Sequence, residues 1–158
     1  MEANYFDVKF PNGGVYEEGY IVGLSKKAED IVLLKIVGSY LPSIDSEGAS
    51  ELDIGDRVFV IGNPEGLVNS LSEGIISGIR EVSPERKYYQ ITAPISPGSS
   101  GSPVFDEFGR LAGIATFYLE EGQNLNFCIP IDELASLEVL ENMITLEQFS
   151  KILQEKKE

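Results

Sequence analysis

The sequence predicts an all-β protein with helices at its C-terminal end. Residues 5–10 alternate with the period of a β-strand, and the turn-forming run 11–14 follows them. Residues 57–62 and 111–117 are short apolar runs, and each is bounded by turn-forming residues. Apolar residues at helical spacing occur near the end of the chain, so helices are expected there.

Length and composition indicate a globular protein. The chain has 158 residues, of which 42% are hydrophobic and 24% charged, and this balance is typical of a folded core. The net charge of −14 argues against binding to nucleic acid or to anionic membranes. Because there is neither an apolar run of roughly 20 residues nor a segment that resembles a signal peptide, the sequence leaves the compartment open.

The chain has no histidine and a single cysteine. Cys128 lies in the apolar run 125–129, where a small buried hydrophobic residue is expected and a reactive thiol is not. One cysteine excludes an intrachain disulfide, and the absence of histidine excludes a Cys/His metal cluster. No cofactor is expected.

The first part of the chain predicts a hairpin and two further strands. Residues 15–24 are expected to return as the partner strand after the Asn-Gly turn. Asp30 precedes the apolar run 31–36, where an acidic residue most often marks the start of a strand. A polar connection then leads to the strand 57–62, which stops sharply at Pro64.

The second part of the chain predicts a strand-rich region around one loop. Residues 72–79 form a strand with glycines where coiled strands bend. The loop lies between the apolar run 88–91 and a hairpin whose second strand is 111–117. Residues 125–131 are expected to form the last strand.

The tail predicts two helices. Asp132 is expected to cap a helix that carries Leu134, Leu137 and Leu140 on one face. Thr145 and Gln148 form the pattern of a capping box at the start of a second helix, which is expected to use its apolar stripe for packing.

The loop itself reads Gly-x-Ser-Gly-x-Pro from Gly98 to Pro103. Small residues allow a tight turn that aims two backbone N–H groups at one point. A serine on such a turn, here Ser100, is the arrangement of an acyl-transfer nucleophile beside its oxyanion hole. The alternative is an ordinary flexible loop, because the same composition marks turns in many proteins.

This segment resembles the active-site serine loop of the trypsin-like (chymotrypsin-fold) serine proteases, and in particular of the HtrA/Deg-type branch. The resemblance implies that Ser100 is the nucleophile and that the amides of Gly98 and Ser100 form the oxyanion hole. It also implies that Asp30, which heads an Ile-Val-Leu-Leu-Lys strand, is the aspartate of the catalytic triad.

The resemblance implies a double β-barrel. Residues 1–64 would form a partial N-terminal barrel, 65–131 the C-terminal barrel, and 132–158 helices packed on that second barrel. Three uncharged segments would wall the specificity pocket, which predicts a small apolar pocket for aliphatic side chains of a peptide or unfolded protein. These wall residues are Pro94, Ile95, Ser96, Thr116, Phe117, Tyr118, Leu125 and Phe127.

The family's general base has no counterpart in this chain. The resemblance places the catalytic histidine upstream of Met1, so the chain is expected to be truncated at its N-terminus, with an incomplete first barrel and little peptidase activity. Lys35 is a poor substitute, since five residues of extended strand put it roughly 16 Å from Asp30 on the opposite face.

Three explanations remain open. The sequence is a piece of a longer active protease, a naturally shortened non-catalytic relative that binds peptides, or a chain that another chain complements. An open barrel edge also predicts self-association into a homo-oligomer.

Overall fold

The computed structural model describes residues 6–10, 12–25, 31–44, 51–63, 70–84, 86–118 and 125–155. Strands dominate these ranges, and the predicted all-β class with a helical C-terminal end is confirmed. The strands are β1 (Val8–Lys9), β2 (Val15–Tyr16), β3 (Gly19–Ser25), β4 (Val32–Ile36), β5 (Arg57–Gly62), β6 (Ser70–Ser83), β7 (Arg86–Ile91), β8 (Pro103–Asp106), β9 (Leu111–Tyr118), β10 (Asn126–Pro130) and β11 (Leu137–Ile144). A 3₁₀ helix spans Ile131–Ser136 and the helix α1 spans Leu146–Glu155.

The chain divides into two compact units. The first contains residues 1–42 and 136–158, and the second contains residues 43–135. In the first, β1 pairs with β2, and β11, β3 and β4 form a three-stranded antiparallel sheet in that order. In the second, six strands close a barrel in the order β10-β7-β6-β5-β8-β9.

The predicted hairpin is present, but its strands are short. Gly13 has a φ of +88°, and Gly14 N donates to the side chain of Asn12, at Oδ1, at 3.0 Å, as in an Asx turn. Residues 15–24 were expected to form one strand, and instead they form β2 and β3. The break is at Glu17 and Glu18, and β3 begins at Gly19, where an added Cβ would lie 2.1 Å from the ring of Phe6. The ring therefore covers the backbone where the chain leaves the hairpin for a different sheet.

The barrel of the second unit is filled by residues that alternate along its strands. On β5 the inward side chains are Val58 and Val60, which are 0% and 3% exposed. Ile76, Ile91 and Val104 are fully buried with them. This single apolar interior fixes the register of the strands that carry the serine loop.

The boundaries predicted at 64 and 131 differ from those of the compact units. Residues 57–62 fall within the predicted partial N-terminal barrel 1–64, but β5 lies in the closed barrel of the second unit, between β6 and β8. Val58 is paired with Gly74 on one side and with Asp106 on the other. The placement of β5 depends on these long-range pairs, which the local apolar pattern does not specify.

The predicted helix after Asp132 is wrong. The chain makes the 3₁₀ helix there and then β11, which pairs with β3 of the first unit and not with the second barrel. Leu137, Leu140 and Ile144 are all partly buried on β11. A register irregularity between Val139 and Ile144 brings residues spaced by three and four to one side, which explains the helix-like pattern.

The helix α1 confirms the predicted capping box. Thr145 N donates to Gln148 Oε1 at 2.8 Å, and Gln148 N donates to Thr145 Oγ1 at 3.2 Å. Within the described ranges no helix is both long and apolar enough to traverse a bilayer.

The turn between β8 and β9 is built on a buried carboxylate. Asp106 is 3% exposed, and its Oδ1 accepts from the amides of Phe108 and Arg110, each at 2.9 Å. Its Oδ2 accepts from Arg110 Nε at 2.7 Å. Burial alone would raise the pKa of Asp106, but the hydrogen bonds from Arg110 and Phe108 outweigh burial and hold the pKa below its usual value.

Cys128 is buried, as predicted. Its side chain is 0% exposed and belongs to the barrel core, and burial raises the pKa of the thiol to about 12. Because the thiolate is the reactive form, Cys128 serves in the folded protein as a small hydrophobic residue.

Candidate functional site

The serine loop begins with a tight turn that requires glycine. Ser99 N donates to Ser96 O at 2.9 Å, which closes a four-residue turn around Pro97 and Gly98. Gly98 has a φ of +92°. A positive φ at the third position and proline at the second are the marks of a type II turn, so the Pro-Gly pair determines the local backbone.

A second turn follows at once and carries the candidate nucleophile. Ser102 N donates to Ser99 O at 3.0 Å, and Gly101, the third residue of this turn, has a φ of +86°. Ser100 is the second residue of the turn and its side chain is exposed. Two successive glycine turns thus raise Ser100 above the backbone on either side.

The loop is fastened to β9. Gly101 N donates to Ala115 O at 2.8 Å, and Ala115 N donates to Ser102 O at 2.9 Å. The hydroxyl of Ser100 donates to Thr116 O at 2.6 Å. The nucleophile proposed from the sequence therefore lies directly over one of the predicted pocket segments.

The two predicted oxyanion donors are exposed. Gly98 and Ser100 both lie at the surface of the second unit. Among the described residues, no backbone carbonyl accepts a hydrogen bond from either amide. Exposed amides of this kind are able to donate to a ligand.

The three predicted wall segments lie side by side in the barrel. Phe127 on β10 is paired with Phe117 on β9, and the neighbouring Asn126 is paired with Tyr118. Asn126 Nδ2 donates to Ala93 O at 3.0 Å, which joins β10 to the segment before the serine loop. Since β9 also contacts Ser100, the segments 94–96, 116–118 and 125–127 converge on one region.

The predicted wall side chains differ in exposure. Pro94 is exposed, and the other partly exposed members are Ile95, Ser96, Thr116 and Leu125. Phe127 is only 8% exposed and is therefore buried beneath the wall surface.

The segment before the loop is bound tightly to β6. Thr92 N donates to Ile75 O at 3.0 Å, and Thr92 Oγ1 accepts from Ile75 N at 2.9 Å. Ser72 Oγ donates to Pro94 O at 2.8 Å. An added Cβ at Gly74 would lie 2.1 Å from Ala93 N, so this crossing requires a residue without a side chain.

Sequence reasoning missed two buried polar residues of this region. Ser99 is 4% exposed and Asn126 is 7% exposed. Asn126 interrupts an apolar run, and because buried polar groups need partners, that interruption is a signal that could have identified it. Ser99 lies among other small polar residues, and nothing in the local sequence distinguishes it from them.

Asp30, the predicted triad aspartate, lies outside the residues that the structure describes. Its role stays a prediction of the resemblance.

Comparisons with known proteins agree with this architecture. A family model described as the trypsin-like peptidase domain matches residues 2–114. The chain is 35% identical over 142 residues to the serine endoprotease DegS of Haemophilus influenzae, which covers 84% of this chain and 41% of the relative. It is 31% identical over 150 residues to the putative serine protease HhoB of Synechocystis, covering 90% of this chain and 35% of the relative.

Solved structures show the same fold. The HtrA-type protease AlgW, solved with a decapeptide, superposes with a TM-score of 0.74 at 30% identity, over 84% of this chain and 42% of that chain. A serine endoprotease from Yersinia pestis also gives a TM-score of 0.74, over 85% of this chain and 47% of that chain. The chain thus spans less than half the length of these relatives.

Proposed function

Because the chain belongs to the trypsin-like peptidase family, in its HtrA-type branch, we propose that it is a serine endopeptidase domain with Ser100 as nucleophile. Ser100 Oγ would attack the carbonyl carbon of a peptide bond and form an ester, while the C–N bond breaks and the amine leaves with a proton. Water would then hydrolyse the ester. The observation that carries the proposal is the double turn that presents Ser100 two residues after the exposed amide of Gly98.

The amides of Gly98 and Ser100 would stabilise the oxyanion of the tetrahedral intermediate. Donors of this kind contribute most when they are fixed before the reaction, and the loop is fixed by its bonds to β9. In the family's pattern Asp30 would orient a histidine and stabilise its protonated form. The chain contains no histidine.

We expect the chain alone to hydrolyse peptides very slowly. Loss of the histidine from such a triad lowers kcat on the order of a millionfold. An oxyanion hole and substrate binding alone leave roughly 10³–10⁴ over the reaction in water.

The site favours an extended peptide with small aliphatic side chains. The wall residues are uncharged, and the carbonyls of Ala93 and Pro94 already accept hydrogen bonds from Asn126 and Ser72. No wall residue therefore supplies a carboxylate that would hold a lysine or arginine side chain. The decapeptide in the AlgW structure supports peptide binding by this fold.

A non-catalytic peptide-binding module is the second candidate. It is favoured by the absence of histidine and by the hydrogen bond from the Ser100 hydroxyl to Thr116 O, since that hydroxyl is held by a carbonyl and not by a base.

A fluorophosphonate probe separates the two candidates. We expect slow labelling of Ser100 that added imidazole accelerates, because imidazole supplies the missing proton acceptor. Ser100→Ala should abolish labelling, and Ser83→Ala, which alters an exposed serine on β6, should leave it unchanged. Mass spectrometry of the labelled peptide is the measurement. Absence of labelling with imidazole, together with measurable affinity for an extended apolar peptide, would favour the binding module.

We also propose that β4 pairs with β4 of a second copy of the chain. In the described part of the first unit β4 is an edge of its sheet. Val32, Leu33 and Leu34 are 41%, 42% and 44% exposed, so apolar side chains project on both faces. The chain is strongly acidic, but β4 carries no acidic residue and one basic residue, Lys35. An antiparallel second copy centred on Leu33 or Leu34 would place no two like charges directly opposite each other.

Sedimentation velocity tests this pairing. We expect Leu33→Lys to shift the protein from dimer toward monomer, because it places a charge in the paired edge. Val139→Lys alters an exposed apolar residue on β11, the opposite edge of the same sheet, and should leave the dimer intact. A monomeric unchanged chain, or equal dissociation by both variants, would contradict the proposal.

A further inference from the structure

We propose that Ser99 is a positioning residue for the oxyanion-binding amide of Gly98; this inference rests on the proposed role of Ser100. The side chain of Ser99 is 4% exposed, and its Oγ accepts a hydrogen bond from Ser96 N at 3.2 Å. Its own amide donates to Ser96 O at 2.9 Å. The turn around Pro97 and Gly98 is therefore tied at its ends by two hydrogen bonds that run in opposite directions.

The peptide group between Pro97 and Gly98 contains the N–H that is proposed to bind the oxyanion. In type I and type II turns this central peptide has different orientations, and the φ of +92° at Gly98 corresponds to type II. The Gly98 N–H belongs to that peptide, so its direction depends on how firmly the turn is held. The Ser99 hydroxyl accepts the second of the two hydrogen bonds that close the turn. It therefore limits the range of orientations open to the Gly98 N–H.

Loss of this hydroxyl would leave the Ser96 amide without its acceptor. A hydrogen bond of this type contributes about 1 kcal/mol, which corresponds to about a fivefold change in an equilibrium constant. We therefore expect Ser99→Ala to weaken the binding of a tetrahedral oxyanion mimic about fivefold. Binding of a peptide that makes no use of the Gly98 amide should be unaffected.

A peptide boronic acid with an aliphatic side chain beside the boron is the probe. Ser100 Oγ would donate a lone pair to the trigonal boron, an O–B bond forms, and the hydroxyl proton passes to the buffer, so no basic side chain is needed. Boron NMR reports the tetrahedral adduct, and titration gives its affinity. The same peptide ending in an amide measures non-covalent binding alone.

Matched variants separate positioning from packing. Ser102→Ala removes the hydroxyl of a second buried serine of the loop and should retain boronate affinity, because this hydroxyl, unlike the Ser102 backbone groups, forms no hydrogen bond with any described residue. Ser99→Thr and Ser99→Val add the same bulk but differ in the hydroxyl, so the threonine variant should bind the boronate about fivefold more tightly. Thermal unfolding checks that each variant is folded.

Each result has a definite meaning. Unchanged boronate affinity in Ser99→Ala, equal losses in Ser99→Ala and Ser102→Ala, or equal affinities of the Thr and Val variants would overturn the role of Ser99 alone. If the unchanged chain gives neither a tetrahedral boron signal nor probe labelling at Ser100, the proposed nucleophile is wrong, and the inference about Ser99 falls with it.

Discussion

Replacing Gly74 with alanine is expected to destabilise the second unit by about 3 kcal/mol or more, because overpacking typically costs roughly 1–3 kcal/mol. The new Cβ would lie 2.1 Å from Ala93 N and 2.6 Å from Thr92 Oγ1. The first contact is with backbone, which cannot rotate away. Either β6 or the segment 92–94 must therefore move.

The movement would break the bonds that hold the segment before the serine loop. Thr92 exchanges hydrogen bonds with Ile75, and Pro94 O accepts from Ser72, so all of these partners lie within two residues of Gly74. We expect urea unfolding to show a lower midpoint and fluorophosphonate labelling to fall with it.

Gly78→Ala is the matched control on the same strand. Gly78 is buried, but an added Cβ would lie 3.1 Å from the guanidinium of Arg80, which is the far end of an exposed, flexible side chain and not backbone. Neither Gly74 nor Gly78 has a positive φ, so the two variants differ in steric contact and not in backbone strain. Equal unfolding midpoints for the two variants would refute the argument.

Asp106→Ala is expected to cost about 2–4 kcal/mol, because two backbone amides and one guanidinium lose a buried acceptor. Glu107→Gln, which alters the exposed neighbouring carboxylate, should stay within about 0.5 kcal/mol of the unchanged chain. Urea unfolding at pH 7 measures both free energies. A loss below 1 kcal/mol for Asp106→Ala would show that the carboxylate does not hold the hairpin.

The same carboxylate predicts a pH dependence. The pKa of Asp106 is lower in the folded chain than the value of about 3.9 in an unfolded chain. The unfolded chain therefore binds the proton more readily, and the stabilisation is complete above that pH and is lost as the pH falls through the folded pKa. Unfolding curves of Asp106→Asn should lack this component of acid sensitivity, whereas those of Glu107→Gln should retain it.

The parts of the fold that depend on local backbone chemistry could be predicted from the sequence. Gly98 and Gly101 are required by positive φ values, and the capping box of Thr145 and Gln148 is a four-residue pattern. The location of the serine loop and the start of α1 follow from such short-range rules.

The parts that depend on long-range pairing could not be predicted. β5 joins the closed barrel through β6 and β8, and β11 joins β3 across most of the chain length. Leu134, Leu137 and Leu140 have a helical spacing in the sequence, so the apolar pattern favoured the wrong element, whereas Leu137 and Leu140 lie on the irregular strand β11. Backbone hydrogen bonds offered by a distant strand outweigh a weak helical preference.

The candidate site shows the same division. Ser100 and Gly98 were predicted from a motif, and their catalytic roles stay predictions, whereas Ser99 and Asn126 are drawn into the region by contacts that only the fold creates. Asp30 remains a prediction.

Cys128 is a natural reporter of local opening of the barrel. The Cys128 thiol is buried among apolar side chains and reacts only as the thiolate. An alkylating reagent can therefore modify it only when the strands around it separate. The rate of alkylation then counts opening events in the unit that carries Ser100, without any introduced label.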